Sequence, residues 1–496
     1  MRGLKGNVLA SYGRFLVVMA VQFALTPIIL KAVGAEDFGL WSLTFAVMGF
    51  LGLMDGGLAT SAVKFIAECR GSGDTERRNK IASTLLALYL GLAGVATVAV
   101  FALSLGYVHW FHLPEAKAGV ALALLWLLAL RSVIFALPLS LFHSLLFGEQ
   151  KNALLSAVQA GATVVYAAAV WVALKLGAGI IIVGAINLAA MLAEYGVYAL
   201  LVRRVVPGLK LSLGLAERSQ LKTLMGFSGA QLLVNIAQLV RLRTDPILVQ
   251  LFCGLEPVAA YAVALRIAES ALLLIKQAVN VLAPVVAQLH GAGETEKIKT
   301  LFVRGSKFVL AGASVLSVAI ACLAREVVTL WVGPQMQGAV VPLVVLLGAM
   351  ALAAPQLVAA LVLVMTGHHG FSARAQTVGM FLNVGASLVL VRVFGPVGVA
   401  LGTLVATVAV DVFTVLPRAC RCAGVGVGHY LATVFGPALV CGGAQALVTL
   451  GLKAVLPAPT HLLGILPLAV PGALAFAGLF LVAFTRPEDR RWRRKK

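Results

Sequence analysis

The feature that most constrains this chain is the recurrence of long apolar runs, about fourteen of them, each able to cross a hydrocarbon core about 30 Å thick. They lie near 7–30, 40–62, 81–106, 118–142, 153–174, 178–201, 224–252, 258–282, 303–323, 339–365, 375–393, 397–417, 429–451 and 462–484. Leu, Val and Ala fill these runs without the polar alternation of a β-barrel strand, so an all-α, polytopic membrane helical bundle is predicted. Of 496 residues, 61% are hydrophobic and 12% charged, and the mean hydropathy is +1.00, far above the need of a water-soluble core. The first run is too long for a signal-peptide core and is expected to stay as helix one.

A net charge of +20 would suit a nucleic-acid partner, but its distribution argues otherwise. Assigning alternate connections to the cytoplasm puts 26 Lys and Arg inside and only 6 outside, namely Lys31, Lys117, Lys175, Arg325, Arg392 and Lys453. This is the positive-inside pattern, predicting a multi-pass membrane protein with both termini cytoplasmic. The tail TRPEDRRWRRKK then serves as a topology signal and a contact for anionic membrane lipids. No nucleic-acid partner is expected.

The six cysteines give no disulfide framework; Cys420 and Cys422 form a C-x-C, too little for a metal site, and no cofactor is expected. Loops are short throughout, the longest near 203–222, so chemistry must take place within the bilayer.

A shift of 220 residues lays VGAEDFGLWSL (33–43) over CGLEPVAAYAV (253–263) and GSGDTERRNK (71–80) over GAGETEKIKT (291–300). Six spans per period keep both copies in one orientation, so a parallel repeat around a central cavity is expected. The predicted parts are 1–222 for the first lobe, 223–422 for the second, and 423–496 for an appended helix pair and basic tail.

Seven basic residues lie within the spans or at their edges: Arg14, Lys64, Arg131, Arg241, Arg243, Arg266 and Lys276. Asp55, Glu194, Asp245, Glu269 and Asp411 share that depth. Each mid-span charge costs about 2.5–3.5 kcal/mol to insert, which apolar neighbours offset, but none can face lipid. At about 100° per residue Arg241 and Asp245 share a helix face, Arg243 points away, and Arg266 shares a face with Glu269. The two matched couples read as internal ion pairs, and Arg14 with Asp55 as a third. Lys64 and Lys276, near the inner face, can snorkel. Arg131 and Arg243 lack a local partner, and an arginine fork in a wet cleft suits phosphate. The acids are candidates for proton or sodium coupling as well as for pairing.

The chain resembles the polysaccharide-transporter branch of the multidrug, oligosaccharidyl-lipid and polysaccharide exporter superfamily, the branch that includes O-antigen flippases. The residues that carry the resemblance are Gly34-Ala35-Glu36-Asp37-Phe38-Gly39-Leu40-Trp41, Asp55-Gly56-Gly57 leading to Lys64, Thr366-Gly367, and Asn383 followed by Gly395, Gly398, Ala400, Gly402 and Thr403. The resemblance implies two six-helix lobes around a cavity. It also implies movement of an undecaprenyl-diphosphate-linked oligosaccharide to the outer leaflet by alternating access, with the seven bases above as cavity residues. Trp41, Tyr261 and Trp331 are candidates for stacking on sugars or for anchoring at the membrane interface. Other polysaccharide-assembly membrane proteins would be partners, and no enzymatic step is implied. Two alternatives stay open: a cation-coupled drug exporter, which an interior with more bases than acids disfavours, and a glycan polymerase or ligase, for which the short outside loop YVHWFHLPEAK offers no catalytic motif.

Overall fold

The computed structural model describes residues 2–280 and 282–485. Side chains at 2–9, 222, 223, 225–235, 237, 238, 241, 242, 278, 280, 283, 284 and 369 fall outside that description. Among the described residues every regular element is helical. Thirteen helices among the described residues are long and apolar enough to cross a membrane. The fourteenth expected span, 224–252, lies within an unbroken helix over Arg218–Cys253, whose apolar run is interrupted by Arg241, Arg243 and Asp245.

Two compact units divide the chain, Met1–Ala259 and Ala260–Lys496. In the first, the helices are α1 (Arg2–Val33), α2 (Ala35–Leu51), α3 (Leu58–Ser72), α4 (Thr75–Trp110), α5 (Ala118–Ala129), α6 (Ala136–Gly148), α7 (Asn152–Lys175), α8 (Ile180–Val205) and α9 (Arg218–Cys253). Its core is a continuous apolar cluster that includes Ile66, Leu85, Tyr89, Leu141, Leu145 and Tyr198. Helix α10 (Leu255–Asn280) leads into the second unit, with α11 (Ala283–Gly291), α12 (Thr295–Cys322), α13 (Ala324–Val332), α14 (Val340–Met365), α15 (His369–Phe394) and α16 (Pro396–Ala406). After a π-helical stretch come α17 (Leu416–Cys422), α18 (Val427–Tyr430), α19 (Gly436–Val455) and α20 (Leu466–Ala483).

The repeat seen in sequence reappears in the backbone. Gly34 (φ 84°) and Gly254 (φ 91°) sit just before α2 and α10, and Gly73 (φ 73°) and Gly293 (φ 71°) just before α4 and α12. Each pair is 220 residues apart, and each position holds a left-handed φ that only glycine adopts cheaply.

Span two departs from its expected course. The 40–62 run is not one helix: a 3₁₀ turn over Gly52–Asp55 ends at Gly56 (φ 58°) and Gly57 (φ 83°), and α3 starts afresh at Leu58. Two consecutive positive φ values cannot continue a right-handed helix. The expected span 118–142 also breaks regularity, through a π-helical turn over Leu130–Ile134 in which Phe135 N–H donates to the Leu130 carbonyl (2.9 Å).

The connection before α9 lies along the first turns of α4. Arg78 and Asn79 donate to the carbonyls of Pro207 and Gly208 (3.1 and 3.0 Å), Ser83 Oγ accepts from Ser212 N–H (3.2 Å), and Thr84 Oγ1 accepts from Glu217 N–H (3.0 Å). A Lys80–Glu217 ion pair of 2.8 Å closes this strap. In the second unit, α19 and α20 pack on α12: Gln445 Nε2 donates to the Val315 carbonyl (2.9 Å), Lys453 pairs with Glu326 (2.8 Å), and Lys307 donates to the Phe484 carbonyl. Gly398 and Gly402 leave room for α15 to approach α16, where Asn383 Nδ2 donates to Thr403 Oγ1 (3.0 Å).

Candidate cationic site in the first unit

Four helices and one irregular turn bring polar groups together inside an otherwise apolar bundle. Helix α1 carries Arg14 and packs along α7, where Gln159 Oε1 accepts from Arg14 Nη1. The π turn carries Arg131 and packs against α2, α4 and α8. A π turn inserts one extra residue, which re-aims a side chain without ending the helix. The Arg131 guanidinium lies over the Phe45 ring, 5.8 Å from its centroid, and within electrostatic reach of Glu194, Tyr166 and Tyr195.

Glu194 on α8 is the acid of this group. Tyr198, one turn further along the same face and 1% exposed, donates its hydroxyl to Glu194 Oε1 (2.8 Å). The Glu194 carboxylate is within electrostatic reach of both Arg131 and Arg14, yet makes no ion pair with either. Among the described residues, both arginines keep a buried Nε with no hydrogen-bond partner. On α6, His143 stands edge-on to Tyr198 (centroids 5.9 Å) and within reach of Arg14. The site therefore holds two half-buried guanidiniums, each with a buried open donor, one carboxylate, one imidazole and three tyrosines.

Asp55 has a different occupation. It accepts from the Tyr89 hydroxyl (3.2 Å) and lies against the backbone N–H groups of Gly57 and Ala59, where the dipole of α3 favours a negative charge. The expected Arg14–Asp55 pair is replaced: Arg14 goes to Gln159, and Asp55 to Tyr89 and the backbone at the start of α3.

The other charges are spread out. Lys64 is exposed, 4.0 Å from Glu68 one turn on and 5.0 Å from the Phe65 ring centroid. Arg243 is exposed on α9, and its stem packs over Gly49 of α2, where an added Cβ would stand 3.1 Å from Arg243 Cγ. Asp245 is buried, 3% exposed. The side chain of Arg241, its expected partner, lies outside the described residues. In the second unit, Arg266 and Glu269 are half-buried on α10, Lys276 lies two to three turns further along, and Asp411 sits in the π-helical stretch Thr407–Val415; all four have interaction partners. Of the aromatics, Tyr261 and Trp331 are buried in helix packing (0% and 7% exposed) and Trp41 meets Phe45 edge-on at 4.9 Å, positions that serve packing.

At the start of α2, Lys117 pairs with Asp37 (2.5 Å) and Glu36 (3.7 Å), and Gly39 stands against the backbone of Leu255, which explains two of the motif positions as structural. The C-x-C divides: Cys420 is buried, and Cys422 Sγ lies 3.6 Å from His368 Nε2.

Sequence reasoning missed His143, Gln159, Tyr166, Tyr195 and Tyr198. A histidine inside the apolar stretch ALPLSLFHSLLFG was a usable signal, since intramembrane ionisable groups are rare.

Comparison with known proteins places these features. A family model described as "Polysaccharide biosynthesis protein" matches residues 5–290. No curated protein sequence matches the chain. Among solved structures, the lipid II flippase MurJ in an inward closed conformation is similar at TM-score 0.76 and 12% identity, covering 96% of this chain and 98% of its own. A multidrug-resistance MATE family transporter in an inward-facing conformation follows at TM-score 0.68 and 18% identity, with 82% and 94% covered. A MOP superfamily transporter from Pyrococcus furiosus, described as having a binding pocket of reverse polarity, matches at TM-score 0.60 and 18% identity, with 84% and 96% covered. The fold is that of the MurJ and MATE transporters.

Proposed function

The chain belongs to the polysaccharide biosynthesis protein family, and from that premise we propose that it is a lipid-linked oligosaccharide flippase. Its cargo is an undecaprenyl-diphosphate-linked oligosaccharide, carried from the inner to the outer leaflet of a bacterial inner membrane by alternating access, with both termini cytoplasmic. The product feeds a surface polysaccharide such as O-antigen or exopolysaccharide, and no bond in the cargo is made or broken. The two six-helix lobes of the sequence repeat, 1–222 and 223–422, are the moving parts, with 423–496 appended.

One observation carries this reading: Arg14 and Arg131 are half-buried in an apolar helical bundle, and among the described residues the buried Nε of each has no hydrogen-bond partner. An unpaired buried donor is costly, and nature keeps such groups where a ligand completes them. Phosphate is the ligand whose geometry a guanidinium fork matches. Lys64, Arg241, Arg243, Arg266 and Lys276 extend the same cationic character along the path. Among the acids, Asp55 serves α3, which leaves Glu194, Asp245, Glu269 and Asp411 for coupling to protons or sodium.

The MATE-like fold keeps a drug exporter as the second reading. Its cargo is cationic, and a site built on two arginines repels cations. The Pyrococcus furiosus transporter's described reverse polarity is in line with one scaffold serving either sign of cargo.

The test is surface glycan in cells that depend on this protein. Arg14→Ala and Arg131→Ala should insert at wild-type levels, lower surface glycan by about tenfold or more, the scale for losing a charged partner, and leave precursor in the inner leaflet. Wild-type surface glycan in both variants would overturn the assignment.

A further inference from the structure

We infer that Glu194 is an internal stand-in for the cargo's phosphate: it partly offsets the charge of Arg14 and Arg131 and loses that role when an anionic headgroup arrives. The inference rests on the diphosphate reading above and adds the group with which the headgroup competes.

The geometry of Glu194 is unusual for a structural ion-pair acid. A structural pair would bring carboxylate and guanidinium into contact, because only contact offsets the desolvation of two charges. Here the carboxylate is held from its own helix by Tyr198 (2.8 Å) and stands within reach of both arginines while contacting neither. Among the described residues each arginine retains a buried Nε without a partner, while Arg14 Nη1 donates to neutral Gln159. A guanidinium carries five N–H donors in a fixed fork. Two such forks facing one carboxylate keep a net positive charge and open donors, which is the arrangement an incoming anion can complete.

A diphosphate brings more negative charge and more acceptor oxygens than one carboxylate, so it wins the contact positions that Glu194 does not occupy. With the headgroup bound, Glu194 becomes a like-charged neighbour of the cargo. That repulsion weakens the loaded state and favours release, so the acid limits affinity in order to permit turnover. His143, in reach of Arg14 and edge-on to Tyr198, and Tyr195 and Tyr166, in reach of Arg131, complete the surroundings of the carboxylate and the two guanidiniums.

The experiment is titration of inorganic pyrophosphate into the purified full chain in detergent, by calorimetry. Glu194→Gln keeps size and the Tyr198 hydrogen bond but removes the charge, and should bind pyrophosphate about tenfold tighter than wild type. Glu194→Asp keeps the charge and should stay within about twofold of wild type, which also controls for folding. Adding Arg131→Ala to Glu194→Gln should abolish the gain. Unchanged or weaker binding by Glu194→Gln, with Arg131→Ala still weakening it, would overturn the displacement and leave the diphosphate reading standing. Pyrophosphate binding by none of the proteins would overturn both.

Discussion

Asp74 and Glu294 occupy equivalent places in the two copies of the repeat, and one methylene separates their chemistry. Asp74 Oδ1 accepts from the Arg77 backbone N–H (2.9 Å), capping α4, whereas Glu294 makes no side-chain cap for α12 and pairs with Lys297 (2.5 Å) instead. A cap of this kind contributes about 1 kcal/mol, and an exposed ion pair a few tenths. Asp74→Ala should therefore lower the melting temperature in detergent measurably more than Glu294→Ala; equal shifts would contradict the cap assignment. At this scale the sequence made the charges within apolar runs conspicuous. It did not announce their partners: Arg14 and Gln159 are 145 positions apart, and helical phase relates only residues on one helix.

Among the elements, the strap between α8 and α9 carries a pH dependence outside the spans. Lys80, by hydrogen bond and charge, holds the Glu217 carboxyl below its usual 4.5. A depressed carboxyl gives its stabilisation above the usual value and loses it as pH falls through the folded value. The strap should thus resist an acid-tolerant protease at neutral pH and become cleavable within residues 206–217 below about pH 4. Glu217→Gln should be cleaved at both pH values, and a wild-type strap equally resistant throughout would refute the role of the pair. The π turn gives a second element-scale expectation. Deleting Ser132 removes the extra residue, restores α-helical phase and turns Arg131 by about 100° relative to α6, so helix insertion should persist while surface glycan falls about tenfold or more. Neither the π turn nor the break at Gly56–Gly57 was legible beforehand. An apolar run reads alike in α and π form, and a glycine pair in a membrane span is common enough to pass as packing.

For the molecule as a whole, the repeat was the most legible feature, since positive-φ glycines at 34, 73, 254 and 293 leave a mark in sequence that survives divergence of everything between them. Class followed from hydropathy, which counted about fourteen spans where thirteen helices among the described residues are long and apolar enough, and the family model and similar structures agree with that class. The cluster around Glu194 was only half legible, because π geometry, tyrosine hydroxyls and a histidine contribute to it without any local pattern. The central claim is that cationic groups in the first unit carry a lipid diphosphate across the membrane, and transport by the purified protein tests it most directly. Proteoliposomes holding wild type or Arg131→Ala are loaded with a fluorescent polyprenyl-diphosphate oligosaccharide, and its appearance in the opposite leaflet is followed by quenching. The account predicts translocation by wild type and a rate about tenfold or more lower for Arg131→Ala. Equal rates for the two proteins, or a wild type that moves a cationic dye but not the diphosphate lipid, would contradict it.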